Sequence, residues 1–451
     1  MKNIISIVTF VSLFMMSCNK DFIDIAPVDT VSIDALFKTD KDYNDAVVGI
    51  YGSLQDQYQD MWLFGDMRGD DSWDELVKNT AAAMDNFTIN NDDNVLRDTW
   101  RNYYVTISRC NMLLARIEQA DPAVVKNKDL YIGEARFIRA LAYFDMVRIF
   151  GDVQMITKPI TIEESYTKGR ESVEKIYNEV IIPDLLDAET RHEFVKAEAK
   201  LKEVTTMGYA LLENYNDLFD YMQDEHHSEY IFDIEYEEGL GGEGNCFTTN
   251  FTPKNPELAE FYGVTGGQNG NNNAPPHLFE IFEPGDVRKD VTAANGHTDA
   301  DGNFIPLIPT SNDVATFTKK YMVRLLTSCD SRANWKVIRY ADVLLLYAEA
   351  LNENGKTVEA LGYLNQVRNR GGLDDLTGLS QAETRDRIYL ERRFELSFEG
   401  HRWFDLVRTG RALEVMAPLG MKDYMTVFPI PLAPIQLMND LEIFPQNTGY
   451  N

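Results

Sequence analysis

Three features of the chain predict a mostly α-helical fold, with helices paired as hairpins, a loop-rich insert and a few short strands. Apolar residues recur at helical spacing through much of the first 230 residues and again after residue 336. Between these stretches, residues 231–335 change texture: Gly, Asn, Thr and Pro punctuate the sequence and the helical period fades. At 44% hydrophobic and 25% charged, the 451 residues supply enough apolar surface for a sizeable core, so the helices belong to a globular body.

The chain opens on a leader. Met1-Lys2-Asn3 gives a positive start, residues 4–16 are apolar except for Ser6, Thr9 and Ser12, and Ser17 precedes Cys18. The apolar run is too short to span a bilayer and reads as a secretory signal over residues 1–17. A thiol directly after a small residue matches a bacterial lipobox, with Met15 where leucine is usual. Cys18 is then the acylated mature N-terminus. At about 0.8 kcal/mol per buried methylene, two or more acyl chains anchor stably. Residues 18–30 form a tether. No later apolar run approaches a membrane span, so the lipid is the expected attachment.

The helices follow in order. Residues 42–54 place Tyr43, Val47, Ile50 and Leu54 on one face, and residues 94–117 do the same with Trp100, Tyr103, Ile107 and Leu114. Asp121-Pro122 breaks the second pattern. Residues 130–150 form a third helix stopped by Gly151, and residues 171–188 a fourth with a kink expected at Pro183. Pairs of similar length suggest tetratricopeptide-like hairpins, although no tight repeat period is visible. Residues 231–236 alternate as a strand. Helices return at 340–352, 358–370 and 382–398. From Phe428-Pro429-Ile430-Pro431 onward the chain reads as Pro-rich and extended. The expected division is 31–230 helical, 231–335 loop-rich and 336–451 helical with a Pro-rich end, all one domain.

Net charge is −29, which repels nucleic acid and anionic lipid but costs a neutral ligand nothing. With Cys18 acylated, Cys110, Cys246 and Cys329 remain. Cys110 sits in a helical period and reads as a small core residue. Cys246 and Cys329 lie in loop-like sequence and are free to pair in an oxidising compartment, a question the sequence leaves open.

Five blocks carry a resemblance. They are Gly65-Asp66-Met67-Arg68-Gly69-Asp70-Asp71; Glu134-Ala135-Arg136-Phe137 through Phe150-Gly151-Asp152-Val153; Ile338-Arg339-Tyr340-Ala341-Asp342 through Ala350; Glu391-Arg392-Arg393-Phe394-Glu395 through Gly400-His401-Arg402-Trp403-Phe404-Asp405; and Phe428-Pro429-Ile430-Pro431 with Pro445-Gln446-Asn447. In that order the chain resembles the SusD/RagB family of surface glycan-binding lipoproteins along nearly its whole length. Lys20-Asp21 behind Cys18 likewise resembles the surface-export signal of Bacteroidota lipoproteins. The resemblance implies a tetratricopeptide-like scaffold on the outer surface, lipid-anchored in the outer membrane. It also implies capture of a neutral glycan without cleavage, and a TonB-dependent SusC-like transporter as partner, on which the protein acts as a hinged lid. Two departures stand out. Gln154 occupies a position where the family has proline, and one helix of a hairpin is missing between Phe194 and Tyr209. The second departure raises an alternative: a structural, protein-interaction subunit of the transporter complex that has lost sugar binding.

Sugar rings present apolar faces and a rim of hydroxyls, so capture needs flat aromatic platforms and a few fixed polar groups. Of 5 Trp residues, Trp100 and Trp403 lie in patterned blocks and read as core, leaving Trp73, Trp335 and Trp62 as platforms. Tyr262 with Phe261, and Phe304, are further candidates in the insert. Arg68, Asp70 and Asp71 are expected to hydrogen-bond hydroxyls, against the competing reading of an internal ion pair closing a turn. Glu391, Glu395 and Glu399 recur every four residues. A glycosidase would take two of them as acid and base. Each has an arginine within four residues, so ion pairing and no enzyme activity is expected. The 6 His residues form no ligand-spaced cluster, and Asp299-Ala300-Asp301-Gly302-Asn303 has its glycine too early for a calcium loop. No cofactor is expected, with a structural calcium at this loop as the alternative.

Overall fold

The computed structural model describes residues 37–74, 79–185, 194–222, 227–308 and 316–450. The signal, Cys18 and the tether lie outside the described residues. The fold is mostly helical, with three two-stranded sheets among the described residues.

Helix α1 (Asp40–Tyr58) starts at a capping box in which Thr39 and Asp42 satisfy each other's backbone N–H groups. It packs on α2 (Asn94–Glu118), which packs on α3 (Lys128–Phe150). One buried carboxylate ties the three together: the Tyr58 and Tyr103 hydroxyls donate to Asp145 Oδ2 at 2.8 and 2.9 Å. α3 stops at Gly151, whose φ of +73° suits glycine. The expected helix over 171–188 is interrupted. A π-helical turn, Tyr177–Ile181, precedes Ile182–Leu185, because Pro183 offers no N–H to the preceding turn. Residues 186–188 lie outside the described residues.

The second half repeats the scheme. Helix α4 (Phe194–Val204) packs on α5 (Tyr340–Glu353), which also meets α6 (Thr357–Arg370) and α7 (Gln381–Leu396). Strand β1 (Tyr230–Ile234) pairs antiparallel with β4 (Trp335–Arg339) and leads the insert back into α5. Inside the insert, β2 (Gly296–Thr298) and β3 (Phe304–Pro306) make a hairpin. Cys246 and Cys329 form a disulfide across it, and Cys110 is free and buried. Two expectations need correction. α7 ends at Leu396, not 398, because Phe398 and Gly400 take φ of +66° and +77°. The C-terminal stretch is not wholly extended: Leu432–Met438 is helical (α8), since Pro431 is tolerated ahead of a first turn.

The main core runs from Tyr43 to Phe444 and takes residues from both helical halves and the insert. A smaller one lies between α5, α6 and α7, joined by Leu201 and Val204 of α4.

Candidate functional site

The Gly65–Asp71 block is a structural joint. A helical turn, Met61–Gly65, delivers it against the Gly400 segment so tightly that a Cβ on Gly65 would lie 2.2 Å from the Gly400 carbonyl oxygen. Arg68 is fully buried. Its guanidinium lies 4.3 Å from the Phe428 ring and 4.6 Å from Phe87, and donates to the Met425 carbonyl and the Tyr450 hydroxyl, each at 3.2 Å. Burial pulls its pKa down. Asp70 accepts two hydrogen bonds from Arg402, at 2.7 and 3.0 Å, and Asp71 accepts from Arg393 at 2.6 Å and Ser397 at 3.1 Å. The hydroxyl-binding expectation for Arg68, Asp70 and Asp71 is therefore corrected: the two carboxylates and the Arg68 Nη2 hold the N-terminal turn to the C-terminal block, and the Arg68 Nε and Nη1 are buried without a partner among the described residues, enclosed by rings and out of reach of a ligand. His277 stands near the two aspartates. The arginines already neutralise them, so a cation there would meet its competitors in place.

Two platform expectations are corrected as well. Trp335, 1% exposed, forms a three-ring cluster with Tyr321 (5.8 Å, 17° between planes) and Phe247 (5.2 Å), which touch each other at 5.3 Å. Trp62, 3% exposed, meets Phe251 edge-on at 5.1 Å. Chain from the insert closes over both rings, which puts them in the core. Trp73 is only half-buried. Its backbone pairs with Asn273 in both directions, at 3.1 and 2.9 Å, while its Nε1 finds no partner among the described residues. Asn271 Oδ1 and Asn273 Oδ1, in the loop beside it, are likewise unpartnered.

The exposed aromatic rings lie further along the insert. Phe261, at the end of the short helix Pro256–Tyr262, is 43% exposed and stacks on His297 of β2 at 3.8 Å. Tyr262 is half-buried, edge-on to Phe261 at 4.9 Å, with burial raising its hydroxyl pKa. Phe304 of β3 is 53% exposed and lies over Gly296, where its ring would come within 2.6 Å of any added Cβ. His297 is the residue sequence reasoning missed, and no local pattern marks it: only the hairpin brings it under Phe261.

The regularly spaced glutamates are sealed. Glu391, Glu395 and Glu399 are at most 2% exposed. Arg288 reaches Glu391 at 2.7 Å and Glu395 at 3.2 Å, while Arg339 reaches Glu395 at 2.5 Å and Glu399 at 2.6 Å. Burial alone would push Glu399 up; Arg339 and Lys320 outweigh it and hold the carboxyl at about 2. A group so acidic and enclosed is a poor general acid. The Asp299 carboxylate is taken up by the Asp301 and Asn303 N–H groups of its own turn.

Comparison with known proteins agrees with this architecture. The profile described as "Starch-binding associating with outer membrane" matches residues 21–207, and that of the SusD family matches residues 300–431. "SusD-like protein P38" and "SusD-like protein P2" of Formosa agariphila are each 26% identical, over 95% of this chain and 96% of the former, and 98% of this chain and 99% of the latter. Among solved structures, a "Laminarin binding SusD-like protein" is 26% identical with a TM-score of 0.72, covering 92% of this chain and 100% of its own. "Surface glycan-binding protein A from Bacteroides thetaiotaomicron in complex with laminarihexaose" shares the fold at 21% identity and TM-score 0.74, over 91% of this chain and 100% of its own. With matching profiles at both ends, relatives aligned along nearly their full length and the same helical scaffold, this chain belongs to the SusD/RagB family.

Proposed function

We propose that the protein is a non-catalytic, cofactor-free cell-surface lipoprotein that captures a neutral glycan and delivers it to a TonB-dependent SusC-like transporter in the outer membrane. The single observation that carries this reading is the set of exposed aromatic rings on the insert. Phe261 and Phe304 are exposed rings on opposite faces of the β2–β3 hairpin, half-buried Tyr262 adjoins Phe261, and half-buried Trp73 pairs with Asn273 of the insert. Flat rings on the short elements of a loop-rich insert suit C–H faces of sugars. The laminarin binding and laminarihexaose-bound relatives support a glycan as the ligand class. The sealed ion pairs of Glu391, Glu395 and Glu399 support capture without cleavage. The family description "associating with outer membrane" supports the location, with Cys18 as the acylated residue. No helix among the described residues is long and apolar enough to cross a membrane.

Calorimetry against a panel of neutral polysaccharides, including starch and laminarin, tests the reading. Saturable binding that Phe261→Ala weakens supports it. Silence across the panel, with co-purification of the transporter retained, favours the structural-subunit alternative. Reducing-sugar release dependent on one glutamate establishes an enzyme instead.

A further inference from the structure

A cavity of about 570 Å³ shares no lining residue with the exposed rings of the insert. It is a groove between α2, the segment 154–166 and α8. Its volume lies in the range of small-ligand sites. Ile156, Ile160, Ile162, Pro434 and Leu437 make an apolar wall, and the Trp100, Tyr104 and Tyr166 rings close it. Ile162 and Leu437 are 68% and 65% exposed, large apolar side chains without cover.

Four polar side chains of the wall are already engaged. The Tyr104 hydroxyl donates to the Gln154 carbonyl at 2.8 Å. Asn111 donates to the Ile156 carbonyl at 2.8 Å and accepts from Arg139 at 2.6 Å. The Gln154 side chain donates to the Lys168 carbonyl at 2.6 Å, and Ser165 donates to the Ile162 carbonyl at 2.6 Å. A sugar or a peptide backbone entering here would leave its own hydroxyls or amides unpaired, which is costly. An alkyl chain asks for no partner.

The charge of the lining is one-sided. In a chain of net charge −29, no carboxylate lines the groove, while Arg97, Arg101 and Lys158 do. Asp98 beside the groove pairs with both arginines, at 3.2 and 3.4 Å. Lys158 is exposed and has no ion pair among the described residues. Arg97 and Asn111 bracket the groove along α2, about 21 Å apart at 1.5 Å per residue, the length of a common fatty-acyl chain.

We propose that this groove binds a long-chain fatty acid: the alkyl chain along the Ile162–Leu437 wall, the carboxylate at Lys158. Titration of the purified protein with dibromostearate below its micellar concentration tests this, because bromine quenches a tryptophan it touches and Trp100 lines the groove. The expected result is saturable quenching at one probe per chain, reversed by unlabelled palmitate. Exposed-site variants Ile162→Asp and Leu437→Asp, which leave the core untouched, weaken binding at least tenfold. Lys158→Glu, or the methyl ester in place of the acid, weakens it severalfold. Trp100→Phe removes most of the quenching. Quenching that does not saturate, that persists unchanged in Leu437→Asp and Trp100→Phe, or that is displaced by a neutral oligosaccharide overturns the assignment. None of these outcomes depends on whether the insert binds glycan.

Discussion

Arg339 and Glu399 meet through a pair of hydrogen bonds, Nε to Oε2 at 2.6 Å and Nη2 to Oε1 at 2.9 Å, with both side chains buried. Lys320 donates to the same carboxylate at 2.6 Å. The pair joins β4 to the turn after α7, and Lys320 ties in the insert. Removing one partner strands a buried charge, so Glu399→Gln is expected to cost about 3–5 kcal/mol in chemical denaturation. A cost under about 1 kcal/mol would show that the cluster is better hydrated than its geometry implies.

Acid should unfold the protein through the same carboxylate. Glu399 is held at about 2, below its ordinary 4.5, so the folded state binds the proton less readily than the unfolded chain. The stabilisation is fully present above pH 4.5 and is lost as pH falls toward 2, about 3 kcal/mol by order of magnitude. Glu395 moves in the same direction, its burial outweighed by Arg370, Arg339 and Arg288. Denaturant midpoints measured from pH 6 to pH 2 should fall steeply in the lower half of that range, and Glu399→Gln should flatten the fall.

Asp66 behaves oppositely. Burial raises its carboxyl to about 8, while the Gly400 N–H donates to Oδ1 at 2.8 Å and opposes the rise. A carboxyl with a raised folded pKa costs stability as pH climbs from its unfolded value near 4 to about 8. Asp66→Asn keeps an acceptor for Gly400 and removes the charge. The variant is expected to be more stable than the parent at pH 8, on the order of 5 kcal/mol at most, and close to it at pH 4. Thermal melts at the two pH values give the comparison; equal shifts at both would refute the burial argument.

The Cys246–Cys329 disulfide closes a loop of 83 residues that holds most of the insert. Constraining so long a loop in the unfolded chain is worth up to about 4 kcal/mol in the chain-entropy account. Double substitution to Ser should lower the unfolding midpoint and raise proteolysis within residues 246–329 before the helices are cut. Uniform cleavage across the chain would argue that the bond stabilises the whole body and not the insert.

The helices were legible because each needs only its own residues: the period of Tyr43, Val47, Ile50 and Leu54 announces α1, and that of Trp100, Tyr103 and Ile107 announces α2. The ordered blocks announced the family for the same reason. The site was less legible because exposure is a long-range property. Trp62 and Trp335 sit in loop-like sequence, yet Phe251 and Phe247, far away in the chain, pack on them, and Tyr321 adds a further ring on Trp335. Four-residue spacing placed Glu391 and Glu395 on one helix face. It did not foresee that Phe398 would leave the helix and deliver Glu399 to Arg339 from a turn. Phe261 gained its support from His297, thirty-six residues later, through a hairpin with no local signature.

Binding and packing should separate cleanly between two aromatic residues of the insert and its edge. Phe261 has 43% of its surface open and leans on His297 from outside, so Phe261→Ala removes a ring face without opening a core cavity. A surface change of this kind costs about 0.5 kcal/mol or less. Loss of one aromatic platform should weaken glycan capture about tenfold, in the range of 1–3 kcal/mol for a stacked ring. Trp335 stands at the other extreme: closed in by Tyr321 and Phe247, with its Cζ2 2.8 Å from where a Cβ on Gly400 would lie. Trp335→Ala empties a large core volume and should destabilise by about 3–5 kcal/mol, whatever the ligand. Calorimetry with the glycan found in the panel and chemical denaturation of the same two variants read both quantities. If Phe261→Ala binds as tightly as the parent while Phe304→Ala and Trp73→Ala do too, the aromatic surface of the insert is not where the sugar sits.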